Sequence, residues 1–116
     1  MQILIDRIRL HSPACRAAFI EWVREVDYAA CRDLPSVLRF EVVEVVEVRG
    51  DAEGGEGAGG GDCDFFEIIH VSSWCDFERD MQSPLFHGLR ARFEQLAAVV
   101  GQLAGEPIPP GYVRHA

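Results

Sequence analysis

Residues 2–10, "QILIDRIRL", divide by parity into two faces. Leu4, Ile8 and Leu10 share one face with Asp6, while Ile3, Ile5, Arg7 and Arg9 share the other, the period of a strand. The stretch "HSPACRAAF" then predicts a helix start, with Ser12 able to accept free backbone N–H groups and Pro13 suited to the first helical position. This helix is expected to run to about Cys31, because Pro35 bars its continuation. "SVLRFEVVEVVEV" (36–48) reads as a second strand and "DFFEIIHV" (64–71) as a third. Ser73 with Asp76 makes a capping-box arrangement that opens a second helix, and Pro84 forces a break or restart in it. Leu85, Leu89, Phe93, Leu96 and Val100 then fall on one stripe at helical spacing. The tail "GEPIPPGYVRHA", with its three prolines, fits at most an edge strand or an arm lying over a neighbour.

The order strand, helix, strand, strand, helix, with a short fourth strand, is the split βαβ arrangement. It is an α+β fold in which an antiparallel sheet carries two helices on one face. At 116 residues the chain is expected to form a single domain, 1–116. The segment "RGDAEGGEGAGGGDC" between strands two and three has no Lys or Ser/Thr after its glycines, and strands flank it on both sides. It is therefore not a phosphate loop, and about 50–62 reads as a flexible Gly-rich hairpin loop. About 105–116 reads as a Pro-rich C-terminal arm.

The alternation in strand two is unusual. Leu38, Phe40, Val42, Val46 and Val48 make one face, broken by Glu44; the other face mixes Val37, Val43 and Val45 with Arg39, Glu41 and Glu47. Strand one repeats this mixture with Ile3, Ile5, Arg7 and Arg9. Burying a Val side chain is worth about 1.5–3 kcal/mol, so such a face is expected to be covered. The economical cover is a second copy, which predicts a homodimer and a lined cavity.

Composition narrows the function classes. Net charge is −8, and all 11 cationic side chains are Arg. An acidic chain without a basic cluster repels phosphate backbones, so no nucleic-acid partner is expected. No apolar run approaches the roughly 18 residues that span a bilayer, so no membrane partner is expected. "MQILIDRIRL" mixes acid and base and does not read as a secretory signal, which points to the cytoplasm. The cysteines at 15, 31, 63 and 75 form no CxxC pair; they read as reduced thiols, not a disulfide frame or zinc site. His11 and Cys15 are four apart but straddle Ser12-Pro13, so no metal site is expected.

On a wheel with Phe19 at zero, Trp22, Val26, Ala30, Val23 and Ile20 occupy an arc of roughly 160°. Asp27 lands inside that arc. A carboxylate there is costly unless paired, and burial should raise its pKa. It is either a structural acid held by the 33–37 turn or an Arg, or a group of ligand chemistry. Tyr28 falls on the far side unless the helix end unwinds. In strand three Glu67 and His70 point to opposite faces, so only one can look into a cavity unless a bulge intervenes. His70 is the residue type best able to exchange protons near neutrality. Trp22 and Trp74 are either core or aromatic clamps. Arg7, Arg9 and Arg39 either line a cavity or pair with Glu41 and Glu47. Neither a Ser–His–Asp set, a dinucleotide glycine pattern nor a metal triad is present, so any catalysis would be proton transfer and positioning in a small apolar cavity.

"FIEWVREVDYAACRDLPSVLRFEVVEV", "DFFEIIHV" and "FERDMQSPLFHGLRARFEQL" together resemble the RedY-like (HapK-type) family of the dimeric α/β-barrel superfamily, over about residues 3 to 100. The resemblance implies a ferredoxin-like homodimer. It also implies a place in bacterial prodiginine or bisindole pigment pathways, with a hydrophobic pyrrole- or indole-type ligand. The family motif maps onto Asp27, Tyr28, Ser36 and Glu67, whereas the glycine tract departs from the usual shorter hairpin. The expected activity is cofactor-independent: Asp27 or Glu67, with His70 as the alternative base, takes a proton from an aromatic intermediate to direct a cyclisation or rearrangement. Trp22 and Tyr28 would hold the ring, and Arg7, Arg39 and Ser36 would complete the binding set. The alternatives are a non-catalytic carrier or scaffold for a pigment precursor and a cofactor-free monooxygenase.

Overall fold

A computed structural model describes residues 1–50 and 63–115. The Gly-rich hairpin expected at about 50–62 therefore lies almost wholly outside the described residues. Strand β1 (Gln2–Leu10) leads into helix α1 over 13–33, then β2 (Val37–Glu44), β3 (Phe65–Val71), α2 (Trp74–Asp80), α3 (Pro84–Leu96) and β4 (Ala97–Gly105). The four strands make one antiparallel sheet in the order β2-β3-β1-β4. This is the ferredoxin-like α+β fold, with the helices on one face.

Alternation sets the two faces. Leu4, Asp6, Ile8 and Leu10 of β1 are all buried, as are Phe65, Ile69 and Val71 of β3, so this parity packs under the helices. Phe19, Trp22 and Val23 of α1 and Leu89 and Leu96 of α3 close the main core over Ile8 and Phe65. Phe77 of α2 covers Leu4, Ile69 and Val71. The other parity, including Ile3, Ile5, Arg7, Phe66, Ile68 and His70, is only half-buried.

Helix ends follow their capping chemistry with one exception. The Ser73 hydroxyl accepts the Asp76 N–H at 3.1 Å and the Ser83 hydroxyl accepts the Phe86 N–H at 3.2 Å, so Pro84 restarts a capped helix. Ser12 is extended but caps nothing through its side chain; its carbonyl accepts the Cys15 N–H instead, in a 3-10 turn at Pro13–Cys15.

Three boundaries differ from expectation. The helix does not carry on to Val100: it stops at Leu96, Ala97 is extended, and β4 runs to Gly105. The run Ala97-Ala98-Val99-Val100-Gly101 ends in residues with weak helix propensity, and the open edge of β1 offers it a full ladder. The fourth strand thus exists, but begins well before the Pro-rich tail, whose last residues form no strand. Strand β2 ends at Glu44 instead of Val48. It also carries a bulge between Val37 and Arg39, so Val37 opposite Val71 shares the helix-facing side with Phe40 and Val42 while Leu38 stands exposed.

Candidate active site

A cavity of about 300 Å³ lies between the sheet and the helices. Its walls are largely apolar: Trp22 from α1, Phe40 from β2, Phe77 from α2, and Phe86 and Phe93 from α3. Trp74, Arg90, Val99 and Gln102 also line it and are themselves exposed, so they lie at its open side. Against this surround stand three carboxyl groups, those of Asp6, Asp27 and Glu67.

The sheet supplies two of them in one row. Asp6 sits directly opposite Glu67 across the β1–β3 ladder and opposite Gln102 across the β1–β4 ladder. Residues paired across neighbouring strands share a face, so all three side chains rise from the same side of the sheet. Gln102 Nε2 donates to Asp6 Oδ1 at 2.7 Å. Glu67 is half-buried and lines the cavity. Burial, a side-chain hydrogen bond to Asp6, and the charges of Asp6 and Asp27 hold its pKa well above the usual carboxyl range. Glu67 therefore favours its protonated form.

The third acid comes from α1. Within this helix a π-helical turn at Val23–Asp27 separates two α-helical stretches. Such a turn adds one residue to the helix and re-aims the residues beyond it. Asp27 lines the cavity from its last position, and burial pushes its pKa up to about 7. Cys31, one turn on, also lines the cavity; its thiol donates to the Asp27 carbonyl at 3.6 Å. Burial, with the Asp27 and Glu67 charges, pushes that thiol up to about 11, so it stays protonated and unreactive at neutrality.

Of the expected site residues, the structure brings Asp27, Glu67 and Trp22 together. His70, Arg7 and Arg39 lie on the other face of the sheet, where His70 pairs with Ile3 and Arg39 and Arg7 pairs with Phe66. None of these three lines the cavity, because odd and even positions of a strand cannot share a face without a bulge between them. Tyr28 also stands outside it. The Tyr28 hydroxyl accepts the Val42 N–H at 2.9 Å and its ring meets Phe40 edge-on at 5.6 Å, so it caps the open edge of β2. Ser36 is buried with its N–H donating to Asp80 Oδ2 at 2.8 Å, again away from the cavity. Two participants, Asp6 and Gln102, are not among the residues expected from the sequence. Asp6 has a signal there, as the one acid on the apolar stripe of β1; Gln102 has none, since it falls beyond the expected helix. Among the described residues no group of three or more His, Cys, Asp or Glu side chains is arranged to hold a metal ion.

The fold and this cavity define a class: a small ferredoxin-like α+β protein with an acid-studded apolar pocket between sheet and helices. The chain belongs to the family of the REDY-like protein HapK, whose model matches residues 2–108. HapK from Hahella chejuensis is similar in structure at 36% identity and a TM-score of 0.83, covering 99% of this chain and 100% of its own. SnoaB from Streptomyces nogalater, a cofactor-independent oxygenase, shares the fold at 15% identity and a TM-score of 0.62, covering 95% and 97%. An ethyl tert-butyl ether D family protein from Bacillus halodurans shares it at 14% identity and a TM-score of 0.60, covering 93% and 100%. No curated protein matches the chain significantly.

Proposed function

We propose that this protein is a small cofactor-independent tailoring enzyme of bacterial secondary-metabolite biosynthesis. It directs the cyclisation or rearrangement of an aromatic indole- or pyrrole-type intermediate, of the kind found in prodiginine and bisindole pathways. The observation that carries the reading is the placing of three carboxyl groups in an aromatic-walled cavity. Its volume of about 300 Å³ stands at the lower end of small-molecule sites.

In this reading Asp27 is the base. A carboxyl poised at about 7 is ionised in a useful fraction at neutrality and accepts a ring N–H or C–H proton more readily than an ordinary carboxylate. Glu67, held protonated by burial and by Asp6, is the acid that returns a proton elsewhere on the ring system. Two acids whose surroundings push their proton affinities apart can divide the roles in this way. Gln102 fixes the Asp6 carboxyl, and Trp22 and Phe93 hold the ring. The half-buried outer face of the sheet packs on a second copy, giving a homodimer. That face includes Arg7 Nε, buried without a hydrogen-bond partner among the described residues.

The test is purified protein with candidate bisindole or bipyrrole intermediates. An enzyme redirects the product distribution over many turnovers; Asp27→Asn and Glu67→Gln each abolish most of that redirection while the protein stays folded. A change seen only at stoichiometric protein would establish the carrier reading instead. Loss of activity without oxygen would establish a monooxygenase. Full activity in both variants would remove the acid–base assignment.

A further inference from the structure

The charge balance of the cavity carries an inference about its ligand, which rests on reading the cavity as a ligand site. The acids come from three elements: Asp6 on β1, Glu67 on β3 and Asp27 on α1. The remaining titratable or polar groups that face them are Cys31 on α1, Gln102 on β4 and Arg90 on α3, while β2 and α2 contribute only apolar or aromatic side chains. Arg90 is the single cation in this lining, and it makes no ion pair with the acids. Its guanidinium lies over the Phe86 ring at 5.3 Å and reaches Met81 Sδ at 4.0 Å, on the exposed side. Among the described residues, ion pairs form at Arg16 with Glu44 and Asp64, Arg39 with Glu41, Arg49 with Glu47, and Arg79 with Asp76; none reaches Asp6, Asp27 or Glu67. Three acids thus share a space whose one cation pairs with none of them.

We propose that the cavity selects a flat aromatic cation, a nitrogen heterocycle whose positive charge is delocalised over its rings, over neutral and anionic compounds of the same shape. Such a ligand supplies the countercharge that the protein withholds. The rings of Trp22, Phe40, Phe77 and Phe93 wall the cavity, and a desolvated cation–π contact with such a ring strengthens binding beyond apolar contact alone. A neutral ring of equal size gains the same apolar contact but leaves the acids uncompensated. An anion adds like charge to a low-dielectric space. Because burial raises the proton affinity of Asp27 and Glu67, cation entry is coupled to release of their protons. Selectivity for the cation therefore grows as pH rises.

The experiment is calorimetric titration of the full chain with three isosteric probes: 1-methylquinolinium, 1-methylnaphthalene and 1-naphthoate. At about pH 8 the quinolinium is expected to bind at least about tenfold more tightly than methylnaphthalene, with naphthoate weakest. At about pH 5 the gap narrows to about threefold or less, as Asp27 takes up its proton. The double variant Asp6→Asn with Asp27→Asn narrows it likewise at the higher pH; near-ultraviolet circular dichroism checks its fold, and the pH arm on the unaltered protein needs no variant. Methylnaphthalene binding as tightly as quinolinium at the higher pH, or a gap that ignores pH, overturns the charge selection and leaves the cavity reading standing. Failure of all three probes to bind overturns both.

Discussion

The two faces of the sheet are built from the same strands and carry opposite chemistry. On β1, Asp6 turns under the helices and Arg7 turns away; on β3, Glu67 turns under and His70 turns away. The inner face gathers acids that, among the described residues, form no ion pair. The outer face gathers Arg7, Arg9, Arg39 and His70 among Ile3, Ile5, Phe66 and Ile68, with Glu41 3.8 Å from Arg39. Acids buried without an ion-pair partner raise the free energy of the fold, a cost that the proposed chemistry in the cavity would account for. The outer mixture of aliphatic and cationic groups instead has the composition of a surface that meets another protein surface.

The contrast can be broken most sharply at the inner acids. Asp27→Asn or Glu67→Gln should lower turnover by about a hundredfold to ten-thousandfold, the range of lost general acid–base catalysis. Steady-state product analysis measures it, and retention of near-native rates by both would unmake the contrast. At the outer face, Ile68→Asp places a charge opposite Ile5 and beside Phe66. It should weaken self-association by at least about a hundredfold in sedimentation while the monomer keeps its fold. A protein that is already monomeric at high concentration removes the dimer instead.

Stability should report the same asymmetry through pH. The Asp27 pKa is raised from 3.8 to about 7, so between those values the folded state binds more protons than the unfolded chain. Its contribution is complete below 3.8 and is lost as pH rises through about 7; the raised Glu67 acts in the same direction. Urea unfolding should therefore show roughly 2–4 kcal/mol less stability at about pH 8 than at about pH 4 from Asp27. Asp27→Asn should flatten that slope, and an unchanged slope would place the carboxyl in a more solvated setting than the cavity wall. Smallest of all, His70→Gln should change turnover by less than about twofold, since its side chain stands across the sheet from the cavity. A hundredfold loss there would mean that the outer face takes part in the reaction.

Much of this is legible in the sequence for simple reasons. Strand parity separates Asp6 from Arg7 in 2–10 and Glu67 from His70 in 64–71; what parity alone leaves open is which face of each strand the helices cover. Asp27 stands out because it interrupts an apolar arc. Its aim into the cavity involves a π-helical turn, which an ideal wheel of 3.6 residues per turn does not contain. The stripe ending at Val100 misleads because a spacing of four is also even, so Leu96 and Val100 suit a strand's period as well as a helix's. With 97–100 read as helix, Gln102 has no place beside Asp6. The bulge at Leu38 is hidden for a similar reason: one inserted residue flips all the parity before it, and only the pairing partner reveals the insertion.

The most direct test of the central claim, that burial in the cavity holds the Asp27 carboxyl far above its ordinary proton affinity, is a carbon-13 titration of the Asp27 side-chain carboxyl by NMR in the ligand-free protein. The account predicts a midpoint at about 7. A midpoint near the ordinary 3.8 would contradict it.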